Sequence, residues 1–139
     1  MILLDTHTWI WWVDGNKKLK EWQFKILKEN ENSGLGVSVI SCWEIAKLVE
    51  LQRIKFSCSI NEWMEKALAY PGIHLFELTP EITIESTMLP GEFHKDPADQ
   101  LIVATARIHN IFLLSSDKKI LNYDYVKTFQ EGNGSIINY

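Results

Sequence analysis

The chain has 139 residues, 46% of them hydrophobic, a size and composition that suit one globular domain over residues 1–139 with a contiguous core. Fourteen Lys and Arg against 18 Asp and Glu give a formal charge of −4, which excludes a protein that holds nucleic acid by bulk charge but not an enzyme that takes phosphate through divalent ions. Cys42 and Cys58 are too few for a disulfide scaffold and lack zinc spacing, the opening apolar run has no basic flank or cleavage site, and no stretch approaches the roughly 18 apolar residues of a membrane span, so a soluble, unexported protein of a reducing cytoplasm is expected.

Residues 2–5 are apolar up to Asp5, without alternation, which predicts a short strand buried on both faces. A helix is expected after the Asp14-Gly15-Asn16 turn, where Leu19, Trp22, Phe24, Ile26 and Leu27 recur among lysines. Residues 36–39 read as a second strand, and Ser41 opens a helix with Ile45, Leu48 and Val49 on its apolar face. Residues 60–70 form an amphipathic helix stopped by Pro71-Gly72, and residues 73–78 a third strand. Thr79-Pro80 begins the next helix; residues 88–95 are a loop, and Asp96-Pro97 starts a helix that runs to about His109. Residues 111–114 are a fourth buried strand, 115–117 a turn, and 125–129 an edge strand. Alternating strands and helices give an α/β domain with a mainly parallel sheet, whose functional groups collect at the carboxyl ends of the strands.

Four acids stand out, each with an ordinary alternative. Glu44 fits a capping box with Ser41; Asp99, in a first turn capped by Asp96, fits a complement to the helix dipole; and Asp117 fits a cap on a short helix. Asp5 has no evident local partner. Asp99 shares a helix face with Ile102 and Val103, and Glu44 shares one with Leu48, so both border core stripes, where an unpaired carboxylate is costly. Strand ends and first helical turns can bring all four to one rim, and an all-oxygen acidic cluster suits Mg²⁺ or Mn²⁺, which would activate water for attack on a phosphodiester.

In the blocks MILLDTHTWIWW, SVISCWEIAKL and HKDPADQLIVATARIHNIFLLSSD the protein resembles the PIN-domain ribonucleases, specifically the VapC toxins of toxin–antitoxin modules, and the resemblance spans nearly the whole chain. The resemblance implies a three-layer α/β/α PIN fold, Mg²⁺- or Mn²⁺-dependent endonucleolytic cleavage of RNA, inhibition by a cognate VapB-type antitoxin, and a homodimer. By position, Asp5, Glu44, Asp99 and Asp117 match the family's catalytic, metal-holding acids and Asp96 an auxiliary one. Thr6 and Ser115 match small hydroxyl residues that support them. Gln100 stands where the family often has Arg, which removes a possible phosphate contact.

Lys47, Arg53, Lys95 and Lys118 are candidate RNA contacts, with ordinary solvated side chains as the favoured alternative. His7, His74, His94 and His109 are scattered without a zinc-like pair; His7 is close enough to Asp5 in sequence to line the site. Most of the six tryptophans read as core, with Trp9 and Trp12 as candidates for the edge of an antitoxin groove. A haloacid-dehalogenase-like phosphatase would need a second Asp where His7 stands, and a receiver domain needs an acid and a lysine after later strands. A PIN-like scaffold that binds RNA or protein without cutting is the non-enzymatic alternative, disfavoured by the presence of all four acids.

Overall fold

A computed structural model describes residues 1–132. In chain order its elements are β1 (Ile2–Leu4), α1 (Thr6–Asp14), α2 (Glu21–Asn30), β2 (Leu35–Ser38), α3 (Val39–Glu50), α4 (Ile60–Leu68), β3 (Ile73–Phe76), α5 (Pro80–Ser86), α6 (Pro97–His109), β4 (Leu113–Leu114) and α7 (Lys118–Leu121). The strands lie in the order β3-β2-β1-β4, and all three pairings are parallel.

Residues on β1 alternate between two cores. Ile2 and Leu4 pack with Trp9, Ile26, Leu27 and Trp63 on one side of the sheet, while Leu3 packs with Ile102, Val103, Ala106 and Ile120 on the other. A strand buried on both faces needs an unbroken apolar run, and helices above and below it make the three layers. Edge strand β3 is different: His74 and Leu75 are exposed. At Gly36 a β-carbon would lie 2.3 Å from the Phe76 ring, so the ring of Phe76 on β3 folds over β2 where that position lacks a side chain.

Four expectations change. Residues 6–14 are helical, whereas the pattern predicted a helix only after Gly15; Asp5 starts this helix and Gly15, at φ 63°, ends it. Helix α3 begins at Val39 under a cap from Ser38, whose hydroxyl accepts the Ile40 amide at 3.1 Å, so Ser41 and Glu44 form no capping box and Glu44 sits beyond the first turn. Residues 125–129 form no strand, because their ladder is a single parallel bridge, Leu113 with Thr128, while the Tyr125 carbonyl accepts from Arg107 instead. Trp9 and Trp12 are buried at 0% and 5% exposure and edge no groove; Trp9 packs beside Trp63 and Trp12 beside Tyr70. Cys42 and Cys58 are free thiols, and among the described residues no helix is long and apolar enough to cross a membrane.

Candidate functional site

Parallel pairing of Leu4 with Leu114 sets the carboxyl ends of β1 and β4 side by side, so the next residues, Asp5 and Ser115, emerge together. Asp5 is buried, and against expectation it has local partners. One carboxylate oxygen accepts the Thr8 amide at 3.0 Å as the cap of α1, and the other accepts a short hydrogen bond from the Ser115 hydroxyl. Ser115 also accepts the Asp117 amide at 3.0 Å, and Asp117 caps α7 through the Lys119 amide at 2.9 Å. One serine thus ties the first acid to the last.

Helix α3 packs against α1 and α6, and α3 brings in Glu44 while α6 brings in Asp96 and Asp99. Thr6 Oγ1 lies 2.5 Å from Glu44 Oε1 and 2.8 Å from Ser41 Oγ. A hydroxyl has one proton, and Glu44 accepts it, so Ser41 donates to Thr6 in turn. On α6, Asp96 caps the helix by accepting the Asp99 amide at 3.1 Å, as its spacing from Pro97 predicts. Asp99 Oδ2 lies 3.0 Å from His94 Nε2, a close contact without the alignment of a hydrogen bond. Gln100 does not face the acids; its amide donates to the His94 carbonyl at 3.1 Å and braces the loop that carries His94.

Asp5, Glu44, Asp99 and Asp117 line one cavity of about 370 Å³, together with Thr6, His7 and Lys18. Asp96 stands outside this wall, in an adjoining groove that Glu44 also borders. Burial pushes the Asp5 carboxyl above its ordinary range despite hydrogen bonds from Ser115 and Thr8. Glu44 is raised by burial, with the charges of Asp96 and Asp5 adding to it and the Thr6 hydrogen bond opposing. Asp99 is pushed up to about 7, first by burial and then by repulsion from Asp96, Asp117, Glu44 and Asp5. Neighbouring carboxylates that raise one another's pKa leave a deficit of positive charge, the condition a divalent cation relieves.

The donor set suits a hard ion: carboxylate oxygens, no thiolate, and a partly buried rim. As the side chains stand, among the described residues no three His, Cys, Asp or Glu converge on a point that could hold a metal ion. In this arrangement Asp5 and Asp117 are engaged with caps and Ser115, Glu44 with Thr6, and Asp99 with His94.

Of the basic candidates, Lys47, Arg53, Lys95 and Lys118 do not line the cavity, and Lys47 pairs with Glu50 at 2.5 Å. Lys18 does, and so do Trp11 and Ser116. The residue pattern missed Lys18 because its place depends on α1, whose cap signal, Asp5 ahead of Thr6 and Thr8, was the available clue. His94 has no zinc-like spacing to another histidine, and only the loop ahead of α6 brings it to Asp99.

The PIN domain family profile matches residues 2–125. The chain is 29% identical over 122 residues to Ribonuclease VapC22 of Mycobacterium tuberculosis (strain ATCC 25618 / H37Rv), covering 88% of this chain and 91% of the relative. Its fold is similar to VapBC2 of Rickettsia felis bound to a promoter DNA fragment, with TM-score 0.66 and 15% identity over 92% of this chain and 97% of that one. It is also similar to a toxin–antitoxin complex from Klebsiella pneumoniae, with TM-score 0.58 and 18% identity over 100% and 98% of the two chains.

Proposed function

Because the chain belongs to the PIN-domain family, we propose that it is a Mg²⁺- or Mn²⁺-dependent endoribonuclease that hydrolyses RNA phosphodiester bonds as the toxin of a toxin–antitoxin module. The observation that carries this reading is the single cavity bordered by Asp5, Glu44, Asp99 and Asp117. These four carboxylates would hold the cation, with Asp96 contributing charge from the adjoining groove. When bound, the ion supplies activation of water and neutralisation of charge on the phosphate and the leaving oxygen.

The protein's own groups orient that chemistry. Ser115 and the Thr8 amide hold the Asp5 carboxylate, Thr6 holds Glu44, and Lys18 offers a cation to the phosphate. Asp99, raised to about 7, exchanges a proton near neutral pH, so filling the site releases a proton there. Hydrolysis by water needs no covalent enzyme intermediate, and the products are a 3′-hydroxyl and a 5′-phosphate. A cognate VapB-type antitoxin and a homodimer complete the proposal, supported by the similarity to VapC22 and to the toxin–antitoxin structures.

The test is cleavage of total RNA by purified, antitoxin-free protein in Mn²⁺ or Mg²⁺, with a chelator and Asp99→Asn as controls. Cutting removed by both controls supports the reading. Folded protein that cuts no RNA in either metal sinks it in favour of a binding scaffold.

A further inference from the structure

Resting on the nuclease reading, we infer that a single RNA strand leaves the acidic cavity along a lysine strip formed by the α1–α2 turn and the exposed face of α2, with a base stacked on Phe24. The cavity wall repels phosphate through four carboxylates, and among the described residues Lys18 is the one Lys or Arg on it. A phosphodiester chain must therefore be gripped beside the cavity. Residues 17–28 hold five of the chain's 14 basic residues, Lys17, Lys18, Lys20, Lys25 and Lys28, against one acid, Glu21. All five lysines are exposed.

Lys18 faces the cavity, and its neighbour Lys17 opens a surface hollow of about 840 Å³ that continues past Lys20 and Trp22 to Phe24, Lys25 and Lys28, with Glu21 and Glu131 as its acids. Phe24 is 49% exposed, and the buried Trp12 packs beside it at 5.4 Å between ring centroids. An exposed aromatic among cations is what single-stranded nucleic acid takes: charge tracks the backbone, and the ring takes a base of any identity. An acidic protein segment would use the charges but has no call on the ring.

Gln23 joins strip to site. Though 1% exposed, its side chain accepts the Lys20 amide at 2.9 Å and donates to Ser116 at 2.7 Å, beside Asp117. The lysine turn is thereby held at a set distance from the acids, so phosphates seated on it present a defined bond to the cavity.

The experiment is anisotropy of a labelled mixed-sequence 12-nucleotide RNA, with the full chain kept in chelator so that nothing is cut, across a salt series. Lys17→Gln/Lys20→Gln/Lys25→Gln should weaken binding about 10-fold or more and lower the slope of log K against log salt by roughly 2, because each phosphate contact on a single strand contributes about 0.7. Phe24→Ala should weaken binding about 10-fold with the slope unchanged. The Lys47→Gln/Arg53→Gln pair, outside the strip, should change neither. In metal-supplemented cleavage, the triple variant should raise KM and leave kcat at saturating RNA.

Wild-type slope and affinity retained by the triple variant would overturn the track while cleavage by the same protein leaves the nuclease reading intact. Salt-dependent binding that follows the strip, without cutting in any metal, keeps the track and removes the nuclease. Poly-glutamate bound through these lysines, with RNA ignored, assigns the strip to an acidic protein and overturns the inference.

Discussion

Helix α1 shows two opposite environments across one turn. On its inner side Trp9, Ile10 and Trp12 are buried, and the Trp63 indole donates to Asp14 at 3.0 Å to pin the far end. On its outer side Thr6, His7 and Trp11 border the acidic cavity, where carboxylates raise one another's pKa. Apolar contact is what makes the first side cohesive; proximity of like charges makes the second side costly, and it persists because the tryptophan side holds the backbone in place. The contrast teaches that stability and chemistry are divided by helix face here, so substitutions on the two faces should separate cleanly.

The sharpest separation is expected at Asp5. Asp5→Asn keeps a cap oxygen for Thr8, so cleavage should fall by about 10⁴-fold, roughly 5.5 kcal/mol of barrier, while Tm holds or rises. Cleavage within tenfold of wild type by the folded variant would remove Asp5 from the site. On the inner side, Trp9→Ala should cost about 3–5 kcal/mol in urea denaturation, because a wholly buried indole leaves a cavity that its neighbours fill only in part. A loss under about 1 kcal/mol would break the division between the faces.

Smaller effects probe the supports. Thr6→Val removes the donor to Glu44, which opposes the effect of burial on that carboxyl, so cleavage should fall about 10-fold and the acid limb of its pH profile should move to higher pH. An unmoved limb would show that Thr6 does not hold Glu44 during turnover.

The smallest effect is on stability against pH. Folded Asp99 keeps its proton up to about 7, while the unfolded carboxyl loses it near 3.8. Between those values the folded state binds more protons, so Tm of metal-free protein should fall as pH rises from 4 to 7 and level off above. Water screens the part-exposed Asp99 carboxyl, so the drop should be a few degrees, about 1 kcal/mol, well below the full linkage value, and Asp99→Asn or added Mn²⁺ should flatten it. A metal-free Tm that climbs through this window would contradict the charge repulsion inferred for the cavity.

Much of this arrangement was legible from residue pattern. The strand ending at Asp5 and the Asp96-Pro97 start of α6 follow from burial and capping, which act over a few residues, whereas the choice of the four acids leans also on the family resemblance. Helix α1 was hidden because its tryptophans look the same whether a strand or a helix buries them, and their period became visible only with the Asp5 cap. Helix α3 starts earlier than expected because Ser38 and Ser41 are equally good caps in isolation; the end of β2 selects Ser38. The roles of Lys18, His94 and Gln23 are hidden from residue pattern for a different reason. These roles are long-range, across loops whose paths no local pattern encodes.

The register of β1 on β4 also sets what the molecule can tolerate in length. Asp5 and Ser115 face each other because Leu3 meets Leu113 and Leu4 meets Leu114, on strands of three and two residues. Inserting one residue within either strand displaces its acid by about 3.3 Å and turns it to the opposite face of the sheet. The two strands therefore work as a gauge without slack, whereas residues 51–59, between α3 and α4, connect elements without carrying a wall of the cavity. A reporter or binding peptide grafted into this protein belongs at the exposed positions there, clear of Ile54, Phe56 and Cys58, which pack on the core, and the five residues that set the gauge are the ones to leave at their present length.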